Sequence, residues 1–252
     1  MRSVVTAAWE NRPVDAERHP AGVVRVRAPN ASPMTLDGTN TYVVAGWAID
    51  PGPDDEGHQR AVLEAAGGEL QGVLLTHTHP DHSDGAQGLA DLAGGVPVVL
   101  PERDGPFGPF EALTTPGHAP DHVCLLLDST CFAGDLVMGQ GSVFVMPGEG
   151  SLSAYLDSLR RVRALDLDVL CPGHGPYVWD PAAKLDEYLA HRMERERLLL
   201  EALDSGARTT DALLDHAWAD APPELRAIAA LSLQAHLEKL RDEGRLPGDL
   251  EQ

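Results

Sequence analysis

The chain has 252 residues, 43% of them hydrophobic, with 19 Lys and Arg against 39 Asp and Glu and a formal net charge of −20. That length and apolar content exclude a disordered or collagen-like chain and allow one large domain with a small one beside it. No apolar run approaches the roughly 18 residues of a membrane span, the first residues (MRSVVTAAWENRP) lack the apolar core of a secretory signal, and Cys124, Cys131 and Cys171 are too few and odd in number for a disulfide framework. A soluble cytoplasmic protein with no membrane partner is therefore expected.

Up to about residue 50 the pattern is strand-like, with alternation through Val24-Arg25-Val26-Arg27 and a short apolar run at Tyr42-Val43-Val44. From residue 58 helical and strand patterns alternate: a helix near 58–66, the strand Val73-Leu74-Leu75, a helix near 84–93 and a strand over Val96–Leu100. Short strands are predicted around Glu111–Thr114, Val123–Leu127 and Cys131–Ala133, then a Gly-rich loop from Gly139 to Gly150 and a helix near 151–165. Helices and strands interleaved in one long unit, residues 1–180, predict an α/β layered sandwich. After Asp180-Pro181 the strand signals vanish. Leu185, Leu189, Met193, Leu200 and Leu203 mark a helix stopped at Gly206, a second helix is predicted near 209–217, and Leu225, Ala229, Leu233, Leu237 and Leu240 mark a third, ending at Gly244. Residues 181–252 are thus predicted to be a small helical domain, and the mixed charges of His191–Arg197 are read as a solvated face of ion pairs.

The segment Thr76-His77-Thr78-His79-Pro80-Asp81-His82 carries three imidazoles and a carboxylate directly after a buried-strand pattern. Strand geometry would put His77 and His79 on one side, and a turn at Pro80 would aim Asp81 and His82. One tetrahedral ion could not use all four, whereas two adjacent cations could, since imidazole nitrogen and carboxylate oxygen both ligate zinc. Three more candidates lie just past apolar runs and beside glycines: His118 in Thr115-Pro116-Gly117-His118, Asp135 in Ala133-Gly134-Asp135, and His174 in Cys171-Pro172-Gly173-His174. Gly at these places lets backbone pass close to a crowded centre. His122 is balanced between simple packing and a hydrogen bond that supports the ligands; Cys171 is read as an inert buried thiol, and His19, His58, His191, His216 and His236 as ordinary core or surface residues.

The H-x-H-x-D-H pattern of His77, His79, Asp81 and His82, followed by His118, Asp135 and His174, resembles the metallo-β-lactamase superfamily. The resemblance implies an αββα sandwich over roughly residues 20–180, one metal held by His77, His79 and His118, a second by Asp81, His82 and His174, and Asp135 bridging both. It also implies two Zn2+ ions, with Mn2+ or Fe2+ as alternatives. Thr35-Leu36-Asp37-Gly38-Thr39-Asn40-Thr41-Tyr42, Asp121-His122 and the C-terminal helical unit resemble the beta-lactamase-like protein 2 family, in which the small domain is a winged helix. Asp84 departs from that family, many of whose members have Gly there; it is expected to favour a helix N-terminus or to add negative potential at the site mouth.

A binuclear centre bridged by a carboxylate can activate a shared hydroxide, with Asp81 and Asp135 as the catalytic carboxylates, so hydrolysis is the expected reaction and no Ser or Cys nucleophile is required. An aspartate bridge is unlike the antibiotic-degrading members of the superfamily and like its thioester hydrolases and nucleases. An ester or thioester on a small molecule or carrier is the favoured substrate, given the acidic surface. The alternative is single-strand RNA cleavage, with Arg226, Lys239, Arg241 and Arg245 as a basic track, although acidity disfavours it. A mononuclear iron persulfide dioxygenase, using the equivalents of His77, His118 and Asp135 alone, is a third reading. The acidic helical unit favours a homodimer contact or lid over DNA reading.

Overall fold

The computed structural model of the chain describes residues 18–248, so the segment MRSVVTAAWENRP, expected to carry no secretory signal, lies outside the described residues. The first sheet joins β1 (Val23–Arg27), β2 (Asn40–Val44), β3 (Trp47–Ile49), β4 (Gly72–Leu74) and β5 (Val98–Val99) in that order, antiparallel up to β3 and parallel beyond it. The parallel pairs arise because α1 (Glu56–Ala65) crosses from β3 to β4, and the short α2 (Pro80–Ser83) with α3 (Ala86–Leu92) crosses from β4 to β5. The second sheet runs β10 (Val169–Pro172), β9 (Thr130–Gly134), β8 (Val123–Leu127), β7 (Phe110–Thr114), β6 (Gly105–Phe107); only β10 pairs in parallel, after the crossover α4 (Leu152–Arg163).

The two-residue period of the strands sets the layers. Tyr42, Val44, Ile49 and Leu74 point inward and meet Phe110, Val123, Leu125 and Phe132 of the other sheet. Their neighbours Val43, Ala48 and Val73 point outward onto Val62 of α1 and Leu89 of α3. On the far side Leu113, Cys124 and Cys131 pack on Tyr155, Leu156 and Leu159 of α4. The result is the expected αββα sandwich. All three cysteines are buried and unpaired, and burial pushes the Cys171 thiol up, which keeps it protonated and inert.

The chain then forms α5 (Pro181–Asp204), α6 (Thr210–Ala217), a 3-10 turn at Pro223–Leu225 and α7 (Arg226–Asp242). Leu199, Leu203, Leu213, Leu214, Leu233 and Leu240 share a separate core. The first half of α5 belongs to the sandwich, where Leu185 and Tyr188 pack against α4. No helix among the described residues is long and apolar enough to cross a membrane.

Two local departures from the sequence expectations matter. The helix expected near 84–93 runs as α3 (Ala86–Leu92), but the turn expected at Pro80 forms the short α2; the two are separated at Gly85, whose amide donates to the Gly52 carbonyl and where a Cβ would lie 2.6 Å from the Pro53 carbonyl oxygen. β4 stops at Leu74, because the Thr76 amide is taken by the Asp50 carboxylate and the Thr76 carbonyl accepts from Val123 of the other sheet. His77 and His79 therefore converge from a loop rather than from the face of a strand.

Gly117, just before His118, has φ +140°, and a Cβ there would sit 2.3 Å from both N and Cα of Tyr155 at the start of α4. Backbone cannot yield as a flexible side chain can. Gly117→Ala is expected to cost roughly 2–5 kcal/mol of stability, from strain plus overpacking, read as a lower midpoint in denaturant unfolding; an unchanged midpoint would remove this account of the turn.

Candidate metal centre

The sandwich delivers its polar side chains to one edge. The loop after β4 carries His77 and His79, and the short α2 that follows it carries Asp81 and His82; the turns after β7, β9 and β10 carry His118, Asp135 and His174. Strand ends on a rigid scaffold thus hold every candidate donor. The Thr35–Tyr42 segment fastens this edge: Asn40 Nδ2 donates to the carbonyls of Pro172 (2.9 Å) and Gly175 (2.8 Å), and the Tyr42 hydroxyl donates to the Pro172 carbonyl at 2.8 Å. Gly173 is required by the same crowding, since a Cβ there would fall 2.4 Å from the His82 ring and 2.7 Å from Asp135 Oδ1.

All seven predicted donors come together. His77 Nε2 lies 3.1 Å from His79 Nδ1, and His118 Nε2 lies 2.9 Å from that same nitrogen. On the other side His174 Nε2 is 3.3 Å from both His82 Nε2 and Asp81 Oδ2. Asp135 stands between them, with Oδ2 3.6 Å from His118 Nε2 and Oδ1 3.4 and 3.5 Å from His82 and His174. Three sets of donors are each close enough to hold one ion: His77, His79, His118; Asp81, His82, His174; and His77, His82, Asp135.

The outward nitrogens decide what the inward ones carry. His118 Nδ1 faces the Phe144 carbonyl at 2.7 Å and must donate to it. Thr76 gives its hydroxyl proton to Asp50 at 2.7 Å, so His77 Nδ1, 3.0 Å from Thr76 Oγ1, is the donor there. His79 Nε2 faces the Glu149 carboxylate at 3.2 Å, and His82 Nδ1 faces Asp50 Oδ2 at 3.0 Å. In the neutral rings the remaining nitrogens, including all three of the His77, His79 and His118 set, present lone pairs to one another. Converging lone pairs repel unless a cation lies among them. Tetrahedral ligands at about 2.0–2.1 Å from zinc are themselves about 3.3 Å apart, which matches these separations, and Asp135 Oδ1 is buried without a hydrogen-bond partner. The residues fit a pair of divalent ions.

Charge divides the centre. Burial, reinforced by neighbouring imidazoles, holds His77 well below the ordinary histidine value, and burial also lowers His118. Burial opposes charge on His82 and His174 as well, but Asp135 and Asp50 lift His82 well above that value, and Asp135 and Asp81 lift His174 to about 9. Asp135 is held well below the usual carboxylate range, because His82 and His174 outweigh its burial.

His122 touches the backbone of Asp135 rather than its carboxylate. Its Nε2 accepts from the Asp135 amide at 3.1 Å while Nδ1 lies 2.8 Å from Thr115 Oγ1, and burial lowers its pKa to about 3, so it stays a neutral acceptor. Asp84 is exposed between the two short helices, at the C-cap of α2 and one residue before Gly85, the N-cap of α3, and among the described residues no hydrogen bond joins its carboxylate to the centre. His58 is buried against Thr41 and His236 lies in the helical core, as ordinary core residues do. Sequence reasoning missed Asp50, Thr76, Glu149 and the Phe144 carbonyl. Asp50 follows the apolar β3 in Ile49-Asp50-Pro51-Gly52, the same strand-then-Gly context as Asp135, and that signal could have found it. A backbone carbonyl leaves no such mark.

Replacing Asp50 by Asn removes the charge that orients His82 and Thr76, and divalent-ion affinity is expected to fall about 10–100-fold in equilibrium dialysis, with the fold kept. The pH dependence has a definite sign. A raised His174 pKa stabilises the metal-free chain below about pH 6.5, and that contribution is lost as pH rises through about 9. Ligation needs neutral imidazole, so ion uptake at pH 7 should release protons and tighten toward pH 9; calorimetry in buffers of different ionisation heat measures this, and zero release would contradict it.

Comparison with known proteins agrees with this geometry. The metallo-beta-lactamase superfamily model matches residues 34–115 and 100–174, and the beta-lactamase associated winged helix domain model matches residues 209–246. The chain is 28% identical over 254 residues to the beta-lactamase-like protein 2 homolog of Caenorhabditis elegans, covering 88% of this chain and 85% of that one. It is 32% identical over 262 residues to the lactamase-like protein adaB of Aspergillus niger, covering 89% and 81%. Among solved structures, a metallo-beta-lactamase family protein from Thermus thermophilus superposes with a TM-score of 0.71 at 25% identity, over 88% of this chain and 94% of that one. With its sandwich, its donor-lined edge and its C-terminal winged-helix domain, the chain belongs to the metallo-beta-lactamase superfamily.

Proposed function

We propose that the chain is a binuclear metal-dependent hydrolase acting on an ester or thioester, its acyl group borne by a small molecule or a carrier. The observation that carries this reading is Asp135, whose two oxygens face two separate sets of donors. Divalent ions held there would lower the pKa of water from 15.7 toward about 7 and polarise an acyl carbonyl. Five imidazoles and two carboxylates suit zinc, with iron or manganese as the alternatives.

The chain's own groups divide the remaining work. Asp135 is buried and ionised, and holds the two donor sets in register. Asp81 is one-third exposed, with a side-chain accessibility of 33%, and opens to the mouth. Its pKa lies below the usual carboxylate value, because the favourable His174 and His82 contacts outweigh burial. So low a pKa makes it a poor proton acceptor at neutral pH but a good hydrogen-bond acceptor, suited to orienting an incoming water.

The electrostatics favour an acyl substrate over a polyanion. Of the four cations expected to form an RNA track, three are paired, Arg226 with Asp211 and Asp215, and Lys239 and Arg245 both with Glu196 and Glu243, leaving Arg241 alone outside an ion pair among the described residues. Charges already neutralised add little to phosphate binding. A mononuclear oxygenase needs only His77, His118 and Asp135; the gathering of His79, Asp81, His82 and His174 beside them supports two ions.

The zinc-loaded protein should turn over acyl thioesters, lose the activity to a chelator and regain it with zinc. Outer-shell changes cost about 10–100-fold in such centres, so Asp135→Ala, which removes a donor, should cost more than about 100-fold in kcat/KM. Turnover indifferent to that substitution sinks the reading, and salt-sensitive cleavage of single-stranded RNA in a parallel assay would replace it with the nuclease.

A further inference from the structure

The donors are braced from two places, with two of the first set's three held by a loop. Asp50, inside the sandwich, supports His82 directly and His77 through Thr76. His118 and His79 are instead oriented by the Gly139–Gly150 loop, through the Phe144 carbonyl and the Glu149 carboxylate. That loop has no regular secondary structure of its own, so something else must fix it.

The fixing groups come from α5 and α7. The Arg192 guanidinium, only 5% exposed, donates to the Val143 carbonyl and to Ser142 Oγ on the loop and to Ser232 Oγ on α7, while lying 5.7 Å from the Tyr155 ring centroid. Val143 is the residue before Phe144, so the arginine holds the peptide whose next carbonyl receives His118. Tyr188, one turn earlier on α5, accepts from the Met138 amide at 3.1 Å and donates to the Gly141 carbonyl at 2.8 Å. Glu238 of α7 accepts from the Gly148 amide at 3.4 Å, directly before Glu149. A buried arginine is costly unless its donors are used; here the two terminal nitrogens are used on the loop and on α7, while Nε is buried without a hydrogen-bond partner.

We propose that Arg192 and Tyr188 are positioning residues: through the Gly139–Gly150 loop, the C-terminal helices set the affinity of the His77, His79, His118 ion site while leaving the Asp81, His82, His174 site to the sandwich. This rests on the binuclear reading above. Positioning groups outside the ligands themselves typically change affinity about 10–100-fold, so an effect of that size on one site is expected.

The test is a competition titration of the full-length metal-free chain with zinc against a chromophoric chelator, which resolves two stepwise affinities. His118→Ala identifies which step belongs to the first site. Arg192→Met and Tyr188→Phe should weaken that step about 10–100-fold and leave the other within about threefold. Tyr188→Phe keeps the ring in the core, so a folded variant remains if Arg192→Met does not fold. Asp220→Asn breaks the Arg195 ion pair of the helical unit, 2.6 and 2.9 Å long and away from the loop, and should leave both steps unchanged. Wild-type affinities in both clamp variants would overturn the proposal, as would equal weakening of both steps. A wild-type chain that takes up no ion would instead remove the binuclear reading itself.

Discussion

The centre is organised by mutual repulsion under restraint. Five imidazoles and two carboxylates are each forced to within about one ligand–ligand separation of a neighbour, and the inward nitrogens of His77, His79, His82 and His118 are aimed by what their outward nitrogens touch. Without cations that arrangement is unfavourable, and the metal-free chain relieves it unevenly. His82 and His174 take up protons beside Asp135, Asp81 and Asp50, whereas His77 and His118 stay neutral because burial outweighs the carboxylate nearby. His77 and His118 are preformed neutral donors; His82 and His174 sit in an ion-pair cluster that must give up protons before it can ligate.

The surrounding structure follows from the need to hold such a cluster. Strand ends supply stiffness, and glycine appears where backbone must approach within a side chain's width, as at Gly117 and Gly173. Hydrogen bonds between loops close the edge: the Thr76 carbonyl accepts from Val123, the Asn40 amide donates to the Gly173 carbonyl, and the Ser151 amide donates to the Gly117 carbonyl. Each bond is worth about 1 kcal/mol net, so no single one fixes the site. Their value lies in directing the chain so that the donors cannot swing apart.

Much of this was legible in the sequence, for identifiable reasons. Val123–Leu127 was readable to the residue because a fully apolar run bounded by His122 and Asp128 has no other economical fold. The seven donors were readable because polar side chains crowded after apolar runs need a shared purpose. The short α2 was not, since its separation from α3 at Gly85 rests on carbonyls some thirty residues upstream that sequence pattern does not report. Nor was the support for His118, which comes from a main-chain oxygen that any residue at position 144 would supply. His122 was read as balanced between packing and support; it is buried and does both, because accepting from the Asp135 amide requires the neutral form that burial enforces.

The acidity of the chain also takes on a structural meaning. Most cations of the helical unit are spent internally: Arg195 on Asp220, Arg226 on Asp211 and Asp215, Lys239 and Arg245 on Glu196 and Glu243. An exposed pair such as those of Arg226 contributes little stability singly, and with only Arg241 exposed and outside any ion pair among these helices' described residues no basic stripe is left. Arg192 differs, since its guanidinium is directed at backbone and hydroxyl groups rather than at a carboxylate. A lysine could not reproduce that contact, because one ammonium cannot reach a loop carbonyl, a loop hydroxyl and an α7 hydroxyl in the planar fork that arginine provides. The helical unit is therefore joined to the donor-lined edge by geometry more than by charge, and a joint of that kind transmits position: a shift of α5 or α7 moves the Val143 peptide, and with it the carbonyl that aims His118.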